Sequence, residues 1–183
     1  MPSPVLVNFH GSGFIVPLHG SDDEFARLVV QYTDNAVLDV VYRLYSQNPF
    51  PAALHEAEDA AKWVISNPQD FDPSYISVSS FSAGANLALV ASSQLSTKET
   101  FCHLICFYHS TDSTTDYHSK ALPDPSRSPL PPWMMGLFTE CYASGLDLKD
   151  PRILPVHSTA EKIQHNNLVI SCARDNLCLK ERQ

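Results

Sequence analysis

The sequence has no run of about eighteen apolar residues, so no membrane-spanning helix is expected. Cations are scarce: 12 Lys and Arg stand against 20 Asp and Glu, a net charge of -8. That balance excludes a phosphate-tracking surface, and with it nucleic acid as a partner. The five cysteines, Cys102, Cys106, Cys141, Cys172 and Cys178, contain no CxxC pair. An odd count without a spacing framework reads as reduced, mostly buried thiols in a cytoplasmic protein, rather than as disulfides or a metal site. Cys102 and Cys106, four apart, would share one face of a strand. The N-terminus, MPSPVLVNFHGSG, lacks the positive region of a secretory leader. No internal repeat or linker interrupts the chain. Hydrophobic residues at 44% and charged residues at 17% suit one globular domain with a packed core.

What is present alternates between two periods. Pro4–Phe9 is a β-rich run. Ser21 and Glu24 form a capping-box pair that opens a helix, with Phe25, Leu28, Val29 and Tyr32 as its apolar stripe. Ala36–Tyr42 reads as a strand, and positions 54, 57, 61, 64 and 65 repeat with a helical period. Tyr75–Ser79 is a strand, Ala83 to about Leu95 a helix, and His103–Tyr108 and Leu168–Ala173 two more buried strands. Such alternation implies an α/β fold, with a mostly parallel sheet flanked by helices on both faces. Five prolines between Ala121 and Trp133 read either as a polyproline ligand or as a stiff loop into the helix that follows.

Two stretches carry chemistry. Ser80-Phe81-Ser82-Ala83-Gly84 sits between a strand and a helix, as a nucleophile elbow does, with Ser80 where the Gly-x-Ser-x-Gly pattern has its first glycine. The competing reading of Ser82 is a helix N-cap. His10-Gly11-Ser12-Gly13 follows the first strand, where a glycine-rich loop can aim N–H groups at a developing oxyanion. A plain tight turn also fits. A dinucleotide fingerprint does not, because Val16 occupies the third glycine position and no helix opens there; no cofactor is called for.

These motifs resemble the hormone-sensitive-lipase-like branch of the α/β-hydrolases, the fold-3 group, from about Pro4 to Leu179. HGSGF at 10–14 stands where that family has HGGGF. YRLYSQNPFPAALHEAEDAAKWV at 42–64 is similar to its YRLAPExPFPAAxxD, and SFSAGANLALVAS at 80–92 to its GDSAGGNLA. DPRILP at 150–155 resembles DPRxSP, and SCARDNLCL at 171–179 resembles the loop that carries its acid. The FSAGANLAL wording is most like fungal members, some of which work near secondary-metabolite pathways.

The resemblance implies a serine carboxylic-ester hydrolase acting on a small-molecule ester. Ser82 would be the nucleophile and Asp175 the acid, although Asp175 is also placed to cap a helix. The N–H groups of Ser12, Gly13 and Ala83 would form the oxyanion hole, supported by His10, Gly11 and Gly84, with Phe14 in the pocket. Phe81 replaces the family's usual acidic residue beside the nucleophile. Trp133, Met134, Leu137 and Phe138 either line an acyl or alcohol pocket or cover the sheet.

The triad order in this fold is Ser, Asp, His, yet no histidine follows Asp175. The chain therefore reads as one domain, 1–183, incomplete at both ends. His157 and His109 are the substitute bases to consider, then His165; each also reads as a loop histidine. Two further readings stand beside the esterase. One is a binding protein on a hydrolase fold, as plant gibberellin receptors resemble this family and bind without hydrolysis. The other is a remnant with exposed sheet edges.

Overall fold

The computed structural model describes residues 1–45, 47–94, 100–109, 118, 130–159 and 166–172. Five strands form one parallel sheet: β1 (Ser3–Phe9), β2 (Ala36–Val40), β3 (Phe71–Phe81), β4 (His103–Phe107) and β5 (Asn167–Ile170). Their spatial order is β2-β1-β3-β4-β5. The helices are α1 (Asp23–Tyr32), α2 (Ala52–Ile65), α3 (Ala83–Gln94) and α4 (Pro132–Ala143). The α/β class and the flanked parallel sheet expected from the pattern are therefore present.

Alternation along β1 decides what each sheet face meets. Val5, Val7 and Phe9 join the main core with Leu54, Ala57, Val64 and Leu87 from α2 and α3. The small residues of α2 and α3 let these helices lie close to the strands, and ten consecutive residues of α3 are buried. The opposite face carries Asn8 and Phe81, next to α1. There the Phe25 ring meets the rings of Phe81 and Phe107 edge-on at 5.3 and 5.5 Å.

Asn8 is fully buried and all of its amide bonds are long-range. It donates to Asp39 Oδ1 at 2.8 Å and to Asp22 Oδ2 at 3.4 Å, and it accepts from Ser79 Oγ at 2.7 Å. This network explains a departure from expectation at α1. No capping box forms, because Ser21 Oγ donates to the Asp22 carboxylate and Asp22 stands at the cap without a side-chain cap bond. The stripe on α1 is also shallower than its period suggests, with Leu28 41% and Tyr32 76% exposed.

Other boundaries shift. β3 begins four residues before Tyr75, since Ser3 pairs with Phe71 across an irregularity in the ladder. β2 ends at Val40, and Tyr42 leaves it to enter the site described below. β5 is exposed along its whole length rather than buried. The expectation of mostly buried thiols fails too. Among the described cysteines only Cys106 is buried, its thiol pushed up to about 11 by that burial. Cys102 lies before β4 and not on it, donating to the Ser74 carbonyl at 2.9 Å, and Cys172 is exposed past the end of β5. No helix among the described residues is long and apolar enough to cross a membrane.

Replacing Asn8 by Ala would leave Asp39 and Ser79 without their amide partner. The expected loss is about 2–3 kcal/mol in denaturant unfolding. Burial raises the Asp22 carboxyl above its ordinary value, so that residue favours the fold at acid pH and ceases to as pH rises through its folded value. Asp22→Asn is accordingly expected to flatten the stability profile just above pH 4, as read from melting temperatures across mild acid.

Candidate active site

In this strand order the chain reverses direction across the sheet between β1 and β3, and a crevice opens at their carboxyl ends. Both motifs emerge there, HGSG after β1 and the Ser82 turn after β3.

Gly84 holds the two together. A Cβ on it would lie 2.2 Å from the Phe9 carbonyl oxygen and 2.6 Å from that of His10, so no side chain fits. α3 thus seats its first turn on the end of β1. Ser82 takes φ +51°, a left-handed conformation unusual for serine, and is pinned there. Its N–H donates to the Phe107 carbonyl at 3.0 Å, and its own carbonyl accepts the Ala85 N–H at 3.0 Å, which starts α3. Ser82 is therefore the strained corner between strand and helix. The first pattern position tolerates Ser80 because its buried hydroxyl donates to the Ile105 carbonyl at 3.2 Å. Phe81 stacks on Phe107 at 4.5 Å, an apolar support where the resembled family carries an acid.

The HGSG loop is fixed from behind. Tyr42 Oη donates to the His10 carbonyl at 2.6 Å, which commits its one proton. Ser12 Oγ, 2.8 Å from Tyr42 Oη, is then the donor of that pair, and it accepts the Phe14 N–H at 2.8 Å. This buried relay, Phe14 to Ser12 to Tyr42 to His10, links four residues. His10 stacks on Tyr42 at 4.5 Å, and its Nδ1–H donates to the Gly11 carbonyl at 3.0 Å. His10 is thereby engaged in bracing the loop. Gly13 and Phe14 follow with φ of +56° and +66°.

The loop lies against the serine: a Cβ on Gly11 would be 3.4 Å from Ser82 Cβ. The N–H groups of Ser12, Gly13 and Ala83 have no hydrogen-bond acceptor among the described residues. Those of Ser12 and Gly13 lie in the loop beside Ser82, and that of Ala83 opens α3.

Two spaces meet at Ser82. One is a small, mainly apolar cavity of about 30 Å³, walled by Phe14, Met135, Tyr142, Ile153 and Leu154. The other is an open cleft of about 480 Å³ whose lining includes Asp22, Tyr108 and Met134. Gly13 and Phe138 border both, and the Phe138 ring lies so close over Gly13 that a Cβ there would be 2.7 Å away. Of the four α4 residues considered for a pocket wall, Met134 and Phe138 line these spaces. Trp133 and Leu137 line neither and are 62% and 41% exposed. Asn86 of α3 donates to the Ile153 carbonyl at 2.9 Å, which draws the DPRILP segment into the cavity wall.

Of the histidines weighed as bases, the two described ones line neither space at Ser82. His109 is buried, which pushes its imidazole below the ordinary range and keeps it neutral at pH 7, but it lines neither space. His157 is exposed on the 3-10 turn Pro155–His157 and lines neither space. His165 and Asp175 lie outside the described residues. No group of three or more metal-ligating side chains occurs among the described residues. Sequence reasoning missed the side-chain role of Ser12 and the entry of Tyr42 into the site, and it passed over Tyr142.

A family profile described as alpha/beta hydrolase fold (Abhydrolase_3) matches residues 6–183. The chain belongs to this alpha/beta hydrolase fold family. It is similar to carboxylesterase NlhH of Mycobacterium tuberculosis, 35% identical over 89 residues, covering 48% of this chain and 28% of that protein. It is similar also to versiconal hemiacetal acetate esterase of Dothistroma septosporum, 31% identical over 90 residues, covering 48% of this chain and 27% of that protein. Among solved structures, the esterase of Pyrobaculum calidifontis superimposes with a TM-score of 0.84 at 27% identity, over 97% of this chain and 60% of that one. The chain thus spans about a quarter of the curated relatives and about 60% of the solved esterase.

In this member of the alpha/beta hydrolase fold family the loop relay acts as one unit. Ser12→Ala and Tyr42→Phe should each cost about 1–2 kcal/mol of stability, and the double variant about as much as one of them. Additive losses in a double-mutant cycle would show two separate roles. Gly84→Ala should cost more than about 3 kcal/mol, read as loss of a cooperative thermal transition.

Proposed function

We propose that this chain carries the nucleophile, the oxyanion hole and the acyl pocket of a serine carboxylic-ester hydrolase. One observation carries the reading. A strained serine at a strand-to-helix corner lies against a loop and a helix start whose N–H groups at Ser12, Gly13 and Ala83 have no acceptor among the described residues, where a small cavity meets an open cleft. The esterase relatives support the same chemistry.

Ser82 Oγ attacks the ester carbonyl carbon and gives its proton to a histidine. The carbonyl oxygen becomes an oxyanion held by the N–H groups of Ser12, Gly13 and Ala83. Collapse expels the alcohol, which takes the proton from that histidine, and leaves an acyl group on Ser82. Water then attacks the acyl-enzyme by the same route in reverse roles. Asp175 orients the histidine, which lies outside the described residues. The donors are fixed before substrate arrives, since the relay behind the loop leaves Ser12 and Gly13 little freedom.

Intact-mass labelling with a fluorophosphonate tests the reading on the purified 183-residue chain. One adduct is expected on the native chain and none on Ser82→Ala, with ester hydrolysis falling about 10³-fold or more in that variant. Hydrolysis undiminished in Ser82→Ala would overturn the assignment. A folded native chain that takes no adduct would favour a binding protein on the hydrolase fold instead.

A further inference from the structure

The small cavity at Ser82 holds a feature that the reaction above does not use. Tyr142, from α4, is 6% exposed, and its buried Oη has no hydrogen-bond partner among the described residues. Buried phenols ordinarily find one, and leaving a hydroxyl unpaired costs roughly 1–3 kcal/mol. The ring is also held firmly. Phe14 stacks flat on it with centroids 3.6 Å apart, and Phe50 meets it edge-on at 5.6 Å. A ring clamped on two sides cannot turn its hydroxyl out to solvent, so the site keeps an unused polar group in place.

The surroundings narrow what could use it. Tyr142 lines the cavity together with Ser82 and Gly13, whereas the cleft beyond Phe138 does not reach it. The other walls, Phe14, Met135, Ile153 and Leu154, are apolar. Space of about 30 Å³ takes a group of only a few heavy atoms. The chemistry required is thus a short, mainly apolar group with one oxygen, attached to the carbonyl that Ser82 would attack.

We propose that Tyr142 is a specificity-determining residue whose hydroxyl donates to an oxygen near the second or third carbon of a short acyl chain. The preferred substrates are then esters of small alkoxy-, hydroxy- or oxo-acids rather than of plain alkanoic acids. This rests on the esterase reading for its chemistry but not for its binding. Phe14 shares the role by fixing the ring, and its left-handed backbone is held by the Ser12 hydroxyl. The loop relay and the acyl subsite are therefore one construction.

The test uses an isosteric pair, methoxyacetyl and butyryl, which differ by one ether oxygen in place of a methylene. Tyr142→Phe removes only the hydroxyl. For p-nitrophenyl methoxyacetate against p-nitrophenyl butyrate, the kcat/KM ratio should fall roughly fivefold from the native chain to Tyr142→Phe. Equal losses on both esters would overturn the proposal. A second readout does not depend on turnover. Without ligand, the melting temperature of Tyr142→Phe should equal or exceed that of the native chain, since an orphaned hydroxyl has been removed. A drop of several degrees would show a structural partner for Oη and overturn the proposal. A third readout separates the two readings. In Ser82→Ala, methyl methoxyacetate should raise the melting temperature more than methyl butyrate, and adding Tyr142→Phe should erase the difference. That difference would uphold the subsite even if fluorophosphonate labelling failed, a failure that would count against the esterase reading alone. Absence of the difference would overturn the subsite even with Ser82 fully labelled.

Discussion

The contact of Gly84 with the carbonyl oxygens of Phe9 and His10 is the constraint on which the site depends. It forces the first turn of α3 onto the last residues of β1, bringing two loops that are seventy residues apart in sequence into one crevice. Everything chemically suggestive follows from that approach. Gly11 comes to lie against Ser82, and Ala83 begins its helix beside the loop N–H groups. Ser82 is left at a corner pinned by a bond to Phe107 and by the start of α3. The sheet order supplies the crevice, and the missing Cβ closes it to the right width.

Rigidity behind the loop comes from polar groups rather than from packing. The Phe14 N–H, the Ser12 hydroxyl and the Tyr42 hydroxyl donate in one direction, ending on the His10 carbonyl, and each donor or acceptor in that chain is buried and used. Such a network is stable because it is complete. The Asn8 network under α1 follows the same rule on the other sheet face. The carboxyl end of the sheet is thus braced by short polar chains, between the aliphatic core and a layer of phenylalanines.

Much of the fold was legible because strand and helix periods are strong and local. The apolar run before Ser82, the small residues after it and the glycines after β1 could be placed in sequence, and the family resemblance follows from them. What sequence could not show depends on partners far along the chain. Ser21 and Glu24 look like a capping box until Asn8, fourteen residues before Asp22, engages that carboxylate and takes it into its own network. Ser12 reads as a small residue in a glycine loop, and only Tyr42, thirty residues on, gives its hydroxyl a purpose. Tyr142 passes as one more apolar position in α4, because periodicity does not register whether a phenol has a partner. The thiols were misjudged for a similar reason: cysteine type predicts burial only on average, while Cys102 and Cys172 fall just outside their strands.

α1 has no fully buried residue, yet its Phe25 rests on Phe81, the residue immediately before Ser82, and on Phe107, whose carbonyl holds the Ser82 N–H. The least anchored helix of the sheet is thereby in mechanical contact with its most strained corner. Lifting α1 would strip the edge contacts from both rings at once and let that corner relax. The stiffness of the serine is thus set from outside the crevice, by how firmly a surface helix is pressed down.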